Sequence, residues 1–562
     1  MSKRPLPGCG SRAKGAAAPG SIVLQLLCTN DTHSQMEPFK ASTGSEKGSL
    51  LGGVAARAAM FDALRSAAEC DASLTLDAGD LLVGTPYFDF HHGEADMVVM
   101  RELGYDAVAV GNHDFDGSAP SPPQPTAPRA AAAPGVSSDS SRGLGYLKNL
   151  ATRFAPDLEI LCGNVIEQAT GEPVFAPHAV FERPAGVRIG VAAVLGRAAW
   201  EVVGMPKRRG LCLADFEQCA RSAAAALLEH NCDVLICLSH TGADRGDREL
   251  ASLGLFDCIF SGHAHFYDRM DALEHFEGPG GRLGLLSPGF ARGGGVSWLR
   301  LVLDGETRRI VAHTSGIAPV TTAASCGERA LIVKQVEEWR AVFEAKCRAP
   351  IGRVHADAEL PLPEAREQLV TFSAVHSALS QAVLTELRLL LPELLPVGGS
   401  GTIVACNRYS AAFGLCAGQL LTLGDLLELR KYDSGLVYCE VSGEWLLLLL
   451  DRNAKFAGRA DFLYFEGVSY TLRPCRGTLP EEGFNKKQLD SGALQVVAGS
   501  PRVFGTALED ASWYSLVTSD YVLDTLLKDM PGREMGVRNK QEIGVGEQTA
   551  VKAFLQRGEL LK

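Results

Sequence analysis

The chain has no CxxC pair among its 15 cysteines. An odd, scattered set of thiols excludes a full disulfide framework and fits reduced cysteines, with Cys28 and Cys237 read as small core residues of strand-like runs. Long apolar runs are also missing. The longest, such as Trp445 to Leu450, fall far short of the roughly 18 residues that cross a bilayer, so no membrane span is expected. Positive charge is not in excess: 54 Lys and Arg against 66 Asp and Glu give a net charge of −12. That excludes a general surface for nucleic acid polymers and leaves room for a local phosphate pocket. The N-terminus is basic and rich in small residues but has no continuous apolar segment before Ile22 to Cys28, which reads as a strand and not as a signal peptide. The C-terminus (VKAFLQRGELLK) is too short and too charged for a lipid-anchor signal. With none of these three signals, a cytoplasmic location is expected. No solenoid-type repeat is seen.

What is present is an ordinary globular composition, 46% apolar and 21% charged over 562 residues. At about 150 residues per domain the length suggests three or four domains, and two large ones fit equally well. Residues 1–20 read as a flexible tail. From 21 to about 304, short apolar runs (SIVLQLLC, ASLTLDAGD, YDAVAVGNH, LEILCGNV, VRIGVAAVLG, CDVLICLSH, FDCIFSGHAH) alternate with amphipathic stretches, which predicts a layered α/β domain. Several runs end in Asp, Asn, His or Gly, and ligand sites form where such strands end. Residues 118–143, rich in Pro, Ala and Ser, interrupt the pattern and read as a disordered insertion. Residues 327–348 predict one long connecting helix with an apolar stripe of Leu331, Val333, Val336, Trp339, Val342 and Phe343. Residues 351–562 form a second unit with helical stretches at 364–391 and 443–453 and strand-like runs GTIVAC, GLVYCEVSG, FLYFEGVSYTL and WYSLVTSDY. No His follows His376, so metal chemistry is not expected there.

Metal-ligand residue types concentrate in the first unit: Asp31-Thr32-His33, Gly79-Asp80, Gly111-Asn112-His113-Asp114-Phe115-Asp116, His240, and Gly262-His263-Ala264-His265. Each follows an apolar run. Carboxylate, amide and imidazole donors suit divalent Mn, Zn, Fe or Co without thiolate. Asp-x-His and His-x-His place two side chains on one side of an extended segment. A single Asp can bridge two ions, and two ions about 3.5–4 Å apart suit phosphoryl displacement. Together these residues are the inventory of a dinuclear site.

In this order, TNDTHSQMEPF, LDAGDLLVGTPYF, GNHDFD, LSHTG and GHAH resemble the dinuclear metallophosphoesterases, and more narrowly the 5′-nucleotidase family. The resemblance implies a four-layer α/β/β/α metallophosphoesterase sandwich at 21–320, a linker helix at 321–350, and an α+β substrate-binding domain at 351–562. It implies two divalent ions (Mn, Zn, Co, Fe or Mg). Asp31, His33, Asp80 and His265 would hold one; Asp80, Asn112, His240 and His263 the other, with Asp80 bridging. His113 and Asp116 match the family's catalytic pair, the imidazole stabilising the phosphoryl oxygens and Asp116 orienting it. Asp114 stands where the family has Glu.

Other candidates have plainer readings. His178 and His230 read as structural, His91 and His92 as surface residues, Asp77 as a hydrogen-bond acceptor, and Asp257 as a turn residue. Asn164 is open between a turn and a place near the site. Arg57 reads as part of a solvated helix face. In the second unit, NRYSAAFGLCAG (407–418), KYDS (431–434) and SDYVLDTLLKDM (519–530) stand where the family has its glycine-rich, Phe-containing and late Gly-Gly-Asp-Gly runs. Asn407, Arg408 and Tyr432 are the substrate-binding candidates; Arg430 for phosphate and Phe413 for stacking are open against an ion pair and core packing. The function expected is a metal-dependent phosphohydrolase acting on phosphate esters or anhydrides of nucleotides by attack of metal-bound water. The alternatives are a phosphatase or pyrophosphatase for a non-nucleotide small molecule, and a binding protein with a vestigial metal site. The oligomeric state is open.

Overall fold

A computed structural model describes residues 20–40, 49–66, 70–117, 143–242, 246–265, 274–287, 289–321, 330–360, 373–395, 401–407, 414–429, 434–456, 462–474, 494–523, 527 and 530–562. The tail at 1–19 and residues 118–142 of the insertion, with Arg408, Phe413, Arg430 and Tyr432, lie outside the described residues. The chain divides into two compact units, Met1–Val342 and Phe343–Lys562, the division falling inside the helix Ala330–Cys347.

Twelve strands carry the architecture of the first unit: β1 (Ile22–Thr29), β2 (Ala72–Asp77), β3 (Ala107–Ala109), β4 (Glu159–Leu161), β5 (His178–Arg183), β6 (Val187–Leu195), β7 (Val234–His240), β8 (Cys258–Ser261), β9 (Glu274–His275), β10 (Leu285–Ser287), β11 (Gly295–Leu303) and β12 (Ile310–Pro319). One sheet has the order β12-β11-β1-β2-β3-β4 and the other β9-β10-β8-β7-β6-β5. In the first, β1 to β4 run parallel and β11 and β12 add antiparallel hairpin strands. In the second, β6, β7, β8 and β10 run parallel, with β5 and β9 antiparallel at the edges.

The sheets face each other through one apolar core. Leu24, Leu26, Leu74 and Leu76 of the first meet Ile189, Val191, Ile236, Leu238 and Phe260 of the second. Alternate residues of the second sheet, among them Val194, Leu235, Cys237 and Ile259, turn outward onto Ala220, Ala223 and Leu227 of the helix Phe216–Glu229. Parallel strands covered on both faces read as near-continuous apolar runs, which is why the seven runs above are legible as strands. The result is the α/β/β/α sandwich. The apolar stripe expected on the connecting helix is only partly covered: Leu331 is 83% exposed and Ile332, one residue on, is buried instead. Trp339 of this helix packs near His91, ring centroids 6.0 Å apart.

The second unit is built on a five-stranded sheet in the order Leu463–Glu466, Ile403–Asn407, Trp513–Ser519, Gly435–Ser442, Val537–Gly546. Strand alternation sends Ile403, Ala405, Val437, Cys439 and Leu516 to one core with Trp445, Leu446 and Leu449 of the helix Gly443–Lys455. It sends Val404, Leu436, Tyr438 and Val517 to another core with the helices Ala374–Leu390 and Glu547–Gln556. This is an α+β unit. No helix among the described residues is long and apolar enough to cross a membrane.

Candidate metal and catalytic site

The site lies in the first unit where five parallel strands end. β1 leads into Asn30 to Ser34, β2 into Ala78 to Leu82, β3 into Val110 to Asp116, β7 ends on His240, and β8 leads into Gly262 to His265. The loops are stitched by backbone hydrogen bonds: Asp31 N to Gly79 O at 2.8 Å, His33 N to Asp80 O at 3.1 Å and Ser34 N to Leu81 O at 3.0 Å. Gly111 has to be glycine, because a Cβ there would collide with Asp80 Oδ1 and the Asp80 amide. Asp31, His33, Ser34, Asp80, His263 and His265 all have positive φ, between 40° and 71°. Such backbone costs energy in ordinary residues and persists where surrounding structure over-determines it, typically at functional sites.

Two donor groups result. Asp31, His33, Asp80 and His265 form one, and Asp80, His240 and His263 the other, with the donor atoms of each group within 4.8 Å of one another. Asp80 is common to both. Asn112 joins the second through its Oδ1, 2.9 Å from His263 Nδ1 and 3.3 Å from His240 Nε2. His265 Nε2 lies 3.1 Å from Asp31 Oδ1 and 2.9 Å from His33 Nε2. His240 Nε2 lies 3.4 Å from Asp80 Oδ2. All seven sequence candidates for metal ligation are therefore gathered in one place.

The ring orientations suit divalent cations. His33 Nδ1 donates to Val83 O at 3.0 Å and His240 Nδ1 to Ala78 O at 2.8 Å, so each Nε2 lone pair is turned into the cluster. His263 N donates to both Asp31 carboxylate oxygens, at 3.1 and 2.9 Å, and Asn30 Nδ2 to Oδ2 at 2.6 Å, which fixes that carboxylate. Burial pushes His33 and His263 down to about 4, leaving both imidazoles neutral, the state in which they ligate metal. Burial works against charge on His240 as well, but Asp80 beside it outweighs that and pushes it up to about 10. These four imidazoles and two carboxylates, aimed at one another, could hold a divalent metal ion.

The His113–Asp116 pair sits on the same loop. His113 N donates to Asp80 Oδ1 at 2.7 Å, and His113 Nδ1 donates to Asp116 Oδ2 at 2.9 Å. The ring packs edge to face with His33, centroids 5.2 Å apart. Burial disfavours the imidazolium, but Asp80 and then Asp116 override it and raise His113 to about 9. Burial likewise opposes the Asp116 carboxylate, and Lys207 and His113 together hold it at about 2.

Asp114 is a hub. It is buried and accepts backbone N–H groups from Gly111, Asp80, Leu81 and Leu82 at 2.8 to 3.2 Å, tying the β2 loop to the β3 loop. Arg57 corrects the sequence reading: it is buried at 3% exposure, beneath the site among Asp77, Asp96 and Tyr105, whose titrations all feel its charge. Asp77 accepts Thr29 Oγ1 at 2.5 Å and Gly79 N at 2.9 Å. Asn164 is buried and bonds the backbone of Leu195 in both directions, at 2.7 and 2.8 Å, a structural brace. Asp257 accepts Leu235 N at 2.9 Å and Arg282 Nη1 at 2.8 Å. His178 and His230 face each other, centroids 6.1 Å apart, and enter neither donor group. Sequence reading missed Lys207, which reaches Asp116 from 91 residues away, and Asp96, which accepts Ser34 Oγ at 3.1 Å; neither lies in a motif. In the second unit Asn407 ends the strand Ile403–Asn407.

No family model matches the chain. A probable 5′-nucleotidase of Treponema pallidum is 29% identical over 271 residues, covering 47% of this chain and 39% of the relative. The match thus spans about two-fifths of that relative's length. Among solved structures, a 5′-nucleotidase precursor from Thermus thermophilus superposes with a TM-score of 0.64 at 21% identity, covering 96% of this chain and 97% of the other. A putative 5′-nucleotidase from Staphylococcus aureus superposes with a TM-score of 0.69 at 16% identity, covering 96% and 98%. The fold is that of the two-domain 5′-nucleotidases, and the sequence likeness is carried by fewer than half of the residues.

Proposed function

We propose that the chain is a metal-dependent phosphohydrolase of the 5′-nucleotidase type, cleaving phosphate esters or anhydrides of nucleotides. One observation carries the reading: two donor groups share Asp80, and the backbone of His113 hangs from that same carboxylate. Asp31, His33, Asp80 and His265 would hold one divalent ion, and Asp80, Asn112, His240 and His263 a second. Bound there, the ions supply Lewis acidity to the phosphoryl group and acidify a water. The remaining work falls to side chains. Where Asp80 and Asp116 carry their charge, they favour the imidazolium form of His113 against its burial. That form offers a charged donor to the phosphoryl oxygens as negative charge grows on them, and Asp116 keeps its Nδ1–H engaged so that the ring does not turn. Water, and not His113 or Asp116, would be the nucleophile, so no covalent enzyme intermediate is expected.

The names of the relatives support a nucleotide as substrate; Asn407, Arg408 and Tyr432 are the contacts proposed in the second unit from the sequence alone. A reducing compartment such as the cytoplasm is the location proposed, from the scattered cysteine spacing of the sequence. The test is phosphate release from 5′-nucleotides, nucleotide sugars and sugar phosphates, each with Mn, Zn, Co and Mg. Metal-dependent release from nucleotides in preference to sugar phosphates is expected. Release from sugar phosphates alone would reject the substrate class, and no release from any of them would reject the activity.

A further inference from the structure

Asp116 does not rest on His113 alone. Its Oδ2 accepts from His113 Nδ1 at 2.9 Å, and its Oδ1 accepts from Lys207 Nζ at 2.6 Å. Lys207 lies in a short 3₁₀ turn, Met205–Arg208, closed by its own N–H to Gly204 O at 3.0 Å. The segment is fastened to the catalytic turn a second time. The Arg208 guanidinium lies 5.4 Å from the centroid of the Trp200 ring, and Trp200 meets Phe115 edge to face at 5.9 Å. Phe115 stands between His113 and Asp116 in the turn His113–Asp116. A half-exposed ion pair of this kind contributes little to stability. Its placement, on the one carboxylate oxygen that His113 does not use, bears on geometry instead. A carboxylate turns readily about its last torsion, which is broad and roughly two-fold. Donors on both oxygens leave one orientation.

We propose that Lys207 is a positioning residue for the reaction: by occupying Asp116 Oδ1 it holds Oδ2 on His113 Nδ1 and so fixes the imidazole that faces the phosphoryl group. The proposal rests on the reading of His113 given above. Lys207 itself touches no reacting atom. Its effect therefore belongs in turnover and not in substrate affinity, and it vanishes once Asp116 no longer carries the interaction.

The test is steady-state kinetics of Lys207→Met, Lys207→Arg, Asp116→Asn and the Lys207→Met/Asp116→Asn double variant, with metal content measured on each and His113→Ala run alongside. Lys207→Met should lose kcat on the order of 10-fold, the low end of what removing a supporting partner behind a working imidazole costs, with KM within about twofold and metal content unchanged. Lys207→Arg should recover most of the loss. In the Asp116→Asn background, Lys207→Met should cost less than about twofold more, because the two act in series. A raised KM at unchanged kcat would make Lys207 a substrate contact and overturn the proposal, as would full additivity in the double variant or no loss at all. Loss in His113→Ala with none in Lys207→Met overturns this proposal alone; full turnover in His113→Ala overturns the reading of the site and this proposal with it.

Discussion

Asp80 is asked to do three things at once. It closes both donor groups, accepts the His113 N–H through Oδ1, and is itself held by its backbone N–H, which donates to Asp114 Oδ2. Its neighbours differ in what they stand to lose. His113→Ala removes a donor aimed at the reacting group without touching either donor set, so turnover should fall by about 10² to 10⁴ while bound metal stays near the wild-type level. Asp80→Ala should lose both; activity and metal content measured on the same preparations separate the two outcomes. Beneath the site, burial pushes the Asp96 carboxyl from 3.8 up to about 8, even though Ser34 and Arg57 favour its charged form. The native chain therefore holds a proton there that the unfolded chain has released. That stabilisation is complete below about pH 4 and is lost as pH rises to about 8, at up to about 1.4 kcal/mol per pH unit. Asp96→Asn keeps the neutral shape and removes the titration. Its unfolding free energy, measured by denaturant at pH 5 and pH 8.5, should fall less with rising pH than that of the wild type. An unchanged pH slope would show that Asp96 is not the group responsible. The candidate metal ligands were legible because their chemistry and spacing are local. Lys207 and Arg57 were not, because what defines each is a partner distant in sequence: Asp116 for one, and for the other the buried carboxyls of Asp77 and Asp96.

Strands carried the sequence signal better than helices. Parallel strands buried on both faces leave unbroken apolar runs, so β1, β2, β6, β7 and β8 announce themselves. The connecting helix forms at Ala330–Cys347, inside the span its periodicity marks, but Leu331 of the expected stripe is left exposed, because periodicity marks a possible face without saying what covers it. Loop shape was illegible altogether. Nothing in the letters Asp-Thr-His says that Asp31 and His33 adopt φ of 47° and 48°. The segment 118–142 joins the fold at a narrow neck, since Gly143 N donates to Gly117 O at 2.7 Å across its two ends. Replacing residues 119–141 by a short Gly-Ser turn should therefore leave the melting temperature within a degree or two of wild type. A large drop would mean that the segment contributes packing the neck does not suggest.

At the scale of the molecule, the order of elements reads as a layered α/β first unit and a mixed second unit; the four-layer sandwich came from the family resemblance, because element order does not say how two sheets pack face to face. Substrate choice is not given in the same way. In the second unit Arg408 stands at a position that the resembled 5′-nucleotidases fill with glycine, so the resemblance does not carry their substrate contacts over residue by residue. The strained metal loops also have a thermodynamic consequence. Like charges at Asp31 and Asp80 and positive φ at six residues carry a cost that bound cations would offset. Chelation should lower the melting transition of the first unit, and excess Mn should restore it by RT ln(1 + [Mn]/Kd), about 4 kcal/mol at a thousandfold excess over Kd. A melting curve indifferent to chelator would mean that the loops are stable without cations. The most direct test of the central arrangement is manganese stoichiometry by equilibrium dialysis, on wild type and on Asp80→Ala. Two ions per chain in the wild type, with both weakened together in the variant, is the result that a shared aspartate predicts; two independent ions still bound tightly without Asp80, or none bound in the wild type, would contradict it.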